Sequence, residues 1–194
     1  MTSSSACDEA VLTEKFATHA PDAHGVPHAG IRVGPATPAD VRDIASLFVA
    51  RNGGDLAEAI EGITRDLARM DRQDADRWVC VAHIHGAPHG TPAFAGYARV
   101  GRRPASPGVG WFLLGVIVEP GHRRCGVARA LTTARLEWLA DRGIAEVRSF
   151  VSAQNGPSVD LHRATGFQEV ARGDVVPGTS LTGGIGILFE RALP

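Results

Sequence analysis

Cysteine is scarce. Cys7, Cys80 and Cys125 are the only three in 194 residues, widely spaced and without a Cys-x-x-Cys pair. That pattern argues against a disulfide framework and a thiolate zinc site, and points to a reducing compartment. Lysine is scarcer still: Lys15 is the one lysine among 20 basic residues, and 21 acidic residues bring the formal net charge to −1. A chain so near neutrality has no global field to hold nucleic acid or an anionic membrane, so neither is expected as a partner. No eighteen apolar residues occur in succession, and Met1 to Ala6 lack the basic-then-apolar pattern of an export signal. A cytoplasmic protein is expected.

The length suits one domain able to bury its own core. Residues 1–29 mix Ser, Ala, His, Pro and Gly and read as a flexible extension, leaving 30–194 as the folded unit. Ile31 to Val33 suit a short first strand. Thr37-Pro38-Ala39-Asp40 then supplies an N-cap, a proline at the first helical position and an acid in the first turn. Val41, Ile44, Leu47 and Phe48 make that helix's apolar stripe, and Asn52-Gly53-Gly54 ends it. A second helix opens at Asp55, with Leu56, Ile60, Ile63, Leu67 and Met70 on one face and Glu58, Glu61, Arg65, Asp66 and Arg69 on a solvated one.

Trp78 to His85 and Ala93 to Val100 read as a hairpin around Gly86 to Gly90. His83 and His85 share a strand face with His89 nearby, but no acid or thiol is spaced to complete a metal site, so no metal is assigned. Ala105 to Gly110 is loop, and Val147 to Ser152 is a further strand. Asn155 to Ser158 start a short helix closed by Gly166. Phe167 to Val176 and Ile185 to Glu190 form a final antiparallel pair across the loop Pro177 to Gly184.

The centre of the chain is a strand, a tight turn and a helix. Trp111 to Val118 are mostly apolar, Pro120 and Gly121 stop the strand, and Val127, Ala130, Leu131, Ala134 and Trp138 mark a helix starting near Gly126 and closed at Gly143. Between them Arg123 and Arg124 sit at a helix N-terminus, where free N–H groups and the dipole favour an anion. A phosphate-bearing ligand is the natural occupant.

Arg123-x-x-Gly126-x-Ala128, preceded by Val118-x-Pro120, resembles the acetyl-coenzyme A pyrophosphate loop of the GCN5-related N-acetyltransferase (GNAT) family, usually written (Arg/Gln)-x-x-Gly-x-(Gly/Ala). Asn155, Ser158, His162, Gly166 and Phe167 resemble the second half of the same signature, usually Asn-x-x-Ala-x-x-x-Tyr-x-x-x-Gly-Phe. Two motifs in this order, one strand and one helix apart, are far rarer by chance than either alone. The resemblance spans roughly residues 30 to 192 and is tightest over 113 to 167.

The resemblance implies an α/β (α+β) fold. It would have one mixed, mostly antiparallel, twisted sheet of six to seven strands and about four helices, with the fourth and fifth strands splayed around acetyl-CoA. Carried over by residue, Val116 and Val118 would pair with the pantetheine amides. Arg123 and the amides of Arg124, Cys125, Gly126, Val127 and Ala128 would hold the pyrophosphate. Asn155 would bond the pantetheine or neighbouring backbone, with Ser158 on the adjoining wall. The amide of Val116 would stabilise the oxyanion.

His162 stands where the family's tyrosine acid usually lies, and as an imidazolium with an ordinary pKa near 6.5 it is the expected general acid. No general base is identified; Asp55, Glu58 and Asp174 are candidates, and the first two would also draw a cationic acceptor. The expected function is direct acetyl transfer from acetyl-CoA to a primary amine of a cationic small molecule, such as an aminoglycoside or polyamine. Two alternatives stay open: a protein N-terminus or lysine as acceptor, or a non-catalytic acyl-CoA-binding module. A homodimer is compatible with the resemblance.

Overall fold

The computed structural model describes residues 30–70, 72, 75–86, 92–103, 110–173, 175–176, 179–180 and 184–194. The extension expected over 1–29, His89, Asp174 and most of the loops at 86–90, 105–110 and 177–184 lie outside the described residues.

Strand β1 (Ile31–Pro35) runs into a capped turn: the Thr37 N–H and hydroxyl both donate to Asp40 Oδ2, at 2.8 and 2.7 Å. One 3₁₀ turn (Pro38–Asp40) leads into α1 (Val41–Asn52), which stops at Gly53 with φ +75°. Asp55 caps α2 (Leu56–Met70) by accepting from the amides of Ala57 and Glu58. The hairpin is β2 (Arg77–Ile84) and β3 (Ala93–Arg103), followed by β4 (Gly110–Val118). Next come α3 (Val127–Ala140), β5 (Glu146–Ser152), α4 (Gly156–Ala164) and β6 (Gln168–Gly173). The two-residue strands β7 (Val175–Val176) and β8 (Thr179–Ser180) precede β9 (Gly186–Ala192).

Seven strands form one sheet in the order β1-β2-β3-β4-β5-β9-β6, and β4–β5 is its parallel pair. Period-two alternation sorts β2 between two helical layers. Val79 and Val81 face α1 and α2 with Ile44, Leu47, Ile63 and Leu67, whereas Cys80, Ala82 and Ile84 face α3 with Val127 and Leu131.

Three expectations shift. The last pair is shorter at β6, which ends at Gly173, and longer at β9, which reaches Ala192. Asp66, expected on a solvated face, is buried because Arg77 and Arg99 reach it from β2 and β3 at 2.5 and 3.3 Å. The stripe on α3 is rotated: beside Val127 and Leu131 it buries Thr132, Arg135, Leu136 and Leu139.

The parallel pair is joined only at one end, where Trp111 opposes Val147 and Phe112 opposes Arg148. Aromatic contacts hold that end shut. Phe112 stacks on Phe150 with centroids 5.3 Å apart, and Trp111 meets Trp138 of α3 edge to face at 5.6 Å. Past Phe112 the two strands diverge.

On the other side of β4 the approach is close. A Cβ on Gly96, whose φ is +151°, would lie 2.5 Å from the Ile117 carbonyl oxygen and 2.9 Å from Val118 Cα. Gly96→Ala should therefore push β4 out of register and cost about 2 kcal/mol, read as a lower urea midpoint at unchanged m-value. An unchanged midpoint would show that β4 has room to move.

Candidate active site

The ladder between β3 and β4 decides which backbone groups line the gap. Glu119 N donates to Ala95 O at 3.0 Å, so this opposed pair is the hydrogen-bonded kind. Antiparallel pairs alternate. Ile117 and Tyr97 are then bonded to each other, while Val116, opposite Ala98, and Val118, opposite Gly96, turn N–H and C=O away from β3 toward the space β5 has left. Side chains meet those two carbonyls: Arg51 Nη1 donates to Val116 O at 3.4 Å and Arg123 Nε to Val118 O at 3.3 Å. The outward amides are the partners a diamide chain such as pantetheine needs.

A bulge sets this phase. Ala98 pairs with Val116 but Val100 with Leu113, so two residues of β4, Leu114 and Gly115, oppose Arg99 alone. Gly115 accommodates the kink with φ +93°. The bulge removes Arg99 O and Gly115 O from the ladder, and both accept from Arg135 Nη1 at 3.1 Å. Arg135 also donates through Nε to Leu131 O and through Nη2 to the Thr132 hydroxyl. It is 1% exposed and has no carboxylate among these partners. Burial pulls its pKa down to about 10, which still leaves it cationic at neutral pH.

At the far end of β4 the chain turns through Pro120 to Gly126. Arg124 and Gly126 take left-handed φ of +61° and +90°, and Gly126 is the N-cap of α3. A turn coiled this way at a helix N-terminus presents backbone donors to an anion. Arg123, Arg124, Gly126 and Ala128 line the cleft. Cys125 and Val127 are buried, 4% and 1% exposed, and are not among the residues that line the cleft.

The opposite wall is β5 and α4. Asn155 Oδ1 accepts from Ser158 N at 3.3 Å and caps α4; both residues line the cleft. His162 also lines it, but is 6% exposed and wedged against Phe167 and Phe189. Its Nδ1–H donates to Ser158 O at 2.7 Å, which leaves Nε2 to accept from the Ser149 hydroxyl at 2.8 Å. Burial, with a smaller contribution from the Arg135 charge, pulls its pKa down to about 4. At neutral pH the ring is neutral and both nitrogens are engaged, so this is not the imidazolium donor expected from the sequence.

The cleft between the walls has a volume of about 1300 Å³. Phe48, Arg51, Tyr97, Arg99 and Leu114 also line it. Asp55 and Glu58, expected at an acidic rim, are not part of its lining: Asp55 caps α2 and Glu58 is exposed on that helix. Sequence reasoning also missed Arg51, Arg135, Ser149 and the bulge at Gly115. For Arg135 a signal existed, a charged residue midway between Leu131 and Leu139 at helical spacing.

Diverging parallel strands with outward amides, closed at one end by a phosphate-type turn, define a site for a long anionic carrier. Residues 44–167 match the model of the acetyltransferase (GNAT) family, and the chain belongs to that family. The aminoglycoside N(6')-acetyltransferase type 1 of Salmonella typhimurium is 39% identical over 61 residues, which are 31% of this chain and 42% of that protein. The chain thus matches less than half the length of that relative. In fold, the acetyltransferase yncA of Salmonella typhimurium, solved with its cofactor acetyl-CoA, superposes with a TM-score of 0.66 at 18% identity, covering 85% of this chain and 95% of that one. The spermidine/spermine N-acetyltransferase SpeG of Vibrio cholerae gives 0.60 at 15% identity, covering 84% and 93%. Among the described residues no helix is long and apolar enough to cross a membrane.

Proposed function

We propose that the protein transfers acetyl from acetyl-CoA directly to the primary amine of a small molecule. The observation that carries this reading is the outward phase of Val116 and Val118 on a strand that has lost its parallel neighbour, ending at the turn Arg124 to Ala128. In this reading the turn and Arg123 hold the pyrophosphate. Val116 and Val118 pair with pantetheine, and Asn155 and Ser158 form the facing wall. The thioester then lies beside Val116, where that residue's amide meets the oxygen on which charge develops.

The amine nitrogen attacks the thioester carbon and the carbonyl π pair moves to oxygen. Collapse re-forms the carbonyl, breaks the C–S bond and leaves the electron pair on sulfur. The proton lost by the amine ends on that sulfur, giving amide and free CoA thiol. His162, neutral and tied to Ser149 and Ser158, serves in this scheme to fix the Ser149 hydroxyl in the wall rather than to donate a proton.

Two acceptor classes have separate support. Similarity to the aminoglycoside acetyltransferase favours a polycationic amine. Arg51, which lines the cleft and donates to a backbone carbonyl rather than a carboxylate, favours an amine that also carries a carboxylate. Thiol release from acetyl-CoA should be measured with aminoglycosides, polyamines, amino acids and N-terminal peptides. At least one small amine is expected to accelerate release by about 100-fold or more over hydrolysis. Binding of acetyl-CoA without acceleration by any amine would leave a non-catalytic acyl-CoA module, and acceleration by peptides alone would move the acceptor to protein.

A further inference from the structure

Arg135 is a buried cation that the proposed chemistry has not yet used. It lies on α3, beneath β4, and its partners are three backbone carbonyls and one hydroxyl. An arginine is a costly filler for that position, since taking a guanidinium out of water without a carboxylate is unfavourable. A well-packed apolar residue would fill the same space between Leu131 and Leu139. The partner that matters is Gly115 O, because the peptide group carrying that carbonyl also carries the N–H of Val116. One side of this peptide accepts from the guanidinium, at 3.1 Å, and the other side faces the cleft.

We propose that Arg135 is a positioning residue for acetyl transfer, which polarises the Gly115–Val116 peptide and so makes the Val116 N–H a stronger donor to the thioester oxygen. Hydrogen bonds in series reinforce one another, and a charged donor at one end of an amide withdraws electron density from its N–H at the other. The low dielectric around Arg135 magnifies the effect. Its second bond, to Arg99 O, holds the bulge open and keeps Val116 in the outward phase. The bulge alone would aim the amide; with Arg135 behind it, the aimed amide is also polarised. This inference rests on the proposed placement of the thioester beside Val116.

The test reads the bound thioester directly and needs no acceptor. Infrared difference spectra of acetyl-CoA labelled with ¹³C at the carbonyl should be taken free and bound to the wild type, Arg135→Met and Arg135→Lys. Acetyl-CoA affinity should be measured alongside by calorimetry. The wild type should lower the carbonyl stretch on binding. Arg135→Met should lose most of that lowering while affinity changes by less than about threefold, because the turn and Val118 are untouched. Arg135→Lys, which keeps the charge but cannot serve both carbonyls, should fall between. With a competent amine, kcat should drop about 10- to 100-fold in Arg135→Met at nearly constant KM for acetyl-CoA.

A wild-type carbonyl stretch in Arg135→Met overturns the proposal and reduces Arg135 to a brace for the bulge. If that variant fails to fold, Arg135→Gln, which can keep a hydrogen bond to Gly115 O but not the charge, takes its place, and a wild-type stretch there does the same. Failure of every amine to accelerate thiol release would sink the transferase reading while leaving the spectra to decide Arg135. Failure of acetyl-CoA to bind would sink both.

Discussion

Gly126→Val should weaken acetyl-CoA binding by about 10- to 100-fold, or about 1.4–2.8 kcal/mol, and the strained backbone should also lower the unfolding midpoint modestly. Gly126 has φ +90° and is the first residue of α3's cap, so a β-branched side chain must either bear the strain or rotate the backbone out of the left-handed region. Rotation redirects the amides that follow it, at the point where the ligand's two phosphates would sit. A Cβ itself has space, since the nearest atom in the surroundings is Ile31 Cδ1 at 3.7 Å, so the loss comes from backbone direction rather than collision. Calorimetric titration with CoA checks this. Affinity within threefold of wild type would show that the turn is not the phosphate site.

The second large effect concerns His162. Its folded pKa, pulled down to about 4, lies below the ordinary value of 6.5. The unfolded chain therefore binds the extra proton first as pH falls. The stabilisation from keeping the ring neutral is fully present above about pH 6.5 and is lost progressively as pH falls toward 4. Between pH 7 and pH 4.5 this amounts to roughly 2–3 kcal/mol. His162→Phe should be less stable than wild type at pH 7, because Ser149 and Ser158 O lose their partner. It should also lose about 2–3 kcal/mol less than wild type on acidification, since other titrating groups cancel in the comparison. Urea unfolding of both proteins at the two pH values measures it. Equal pH dependence would mean that the ring titrates freely, which would return His162 to candidacy as a proton donor.

Much of the fold was legible because it is written in local signals. Alternation, capping residues and turn glycines placed β1, β2, β4, β5, α2, α3 and α4 to within a residue or two, whereas α1 begins only at Val41, behind a 3₁₀ turn, and β3 runs three residues further, to Arg103; the Arg123 to Ala128 pattern located the turn. Other features depend on partners that lie far away in the chain. The bulge at Gly115 exists because β3 and β4 are offset by one residue, which is a property of the pair and not of Trp111 to Val118. Asp66 looked like any acid on a polar helix face until Arg77 and Arg99 were brought against it from the sheet.

The spacing from Asn155 points to His162, which lies in the cleft wall, but says nothing of its ionisation. That depends on Ser149 thirteen residues upstream and on the aromatic rings around it. Asp55 illustrates the opposite error. An acid next to the loop between two helices suggests a lure for cations, whereas its position at the start of α2 also suits a cap, and the cap is what forms.

The central claim is that a CoA carrier lies along β4, with its amides on Val116 and Val118 and its phosphates on the turn before α3. Backbone amide spectra recorded during titration with CoA test this most directly. The account predicts that the largest shifts fall on Val116, Val118 and Arg124 to Ala128, with smaller ones on Ser149, Asn155 and Ser158. Shifts centred on α2 or on β1, with Val116, Val118 and the turn unmoved, would contradict it.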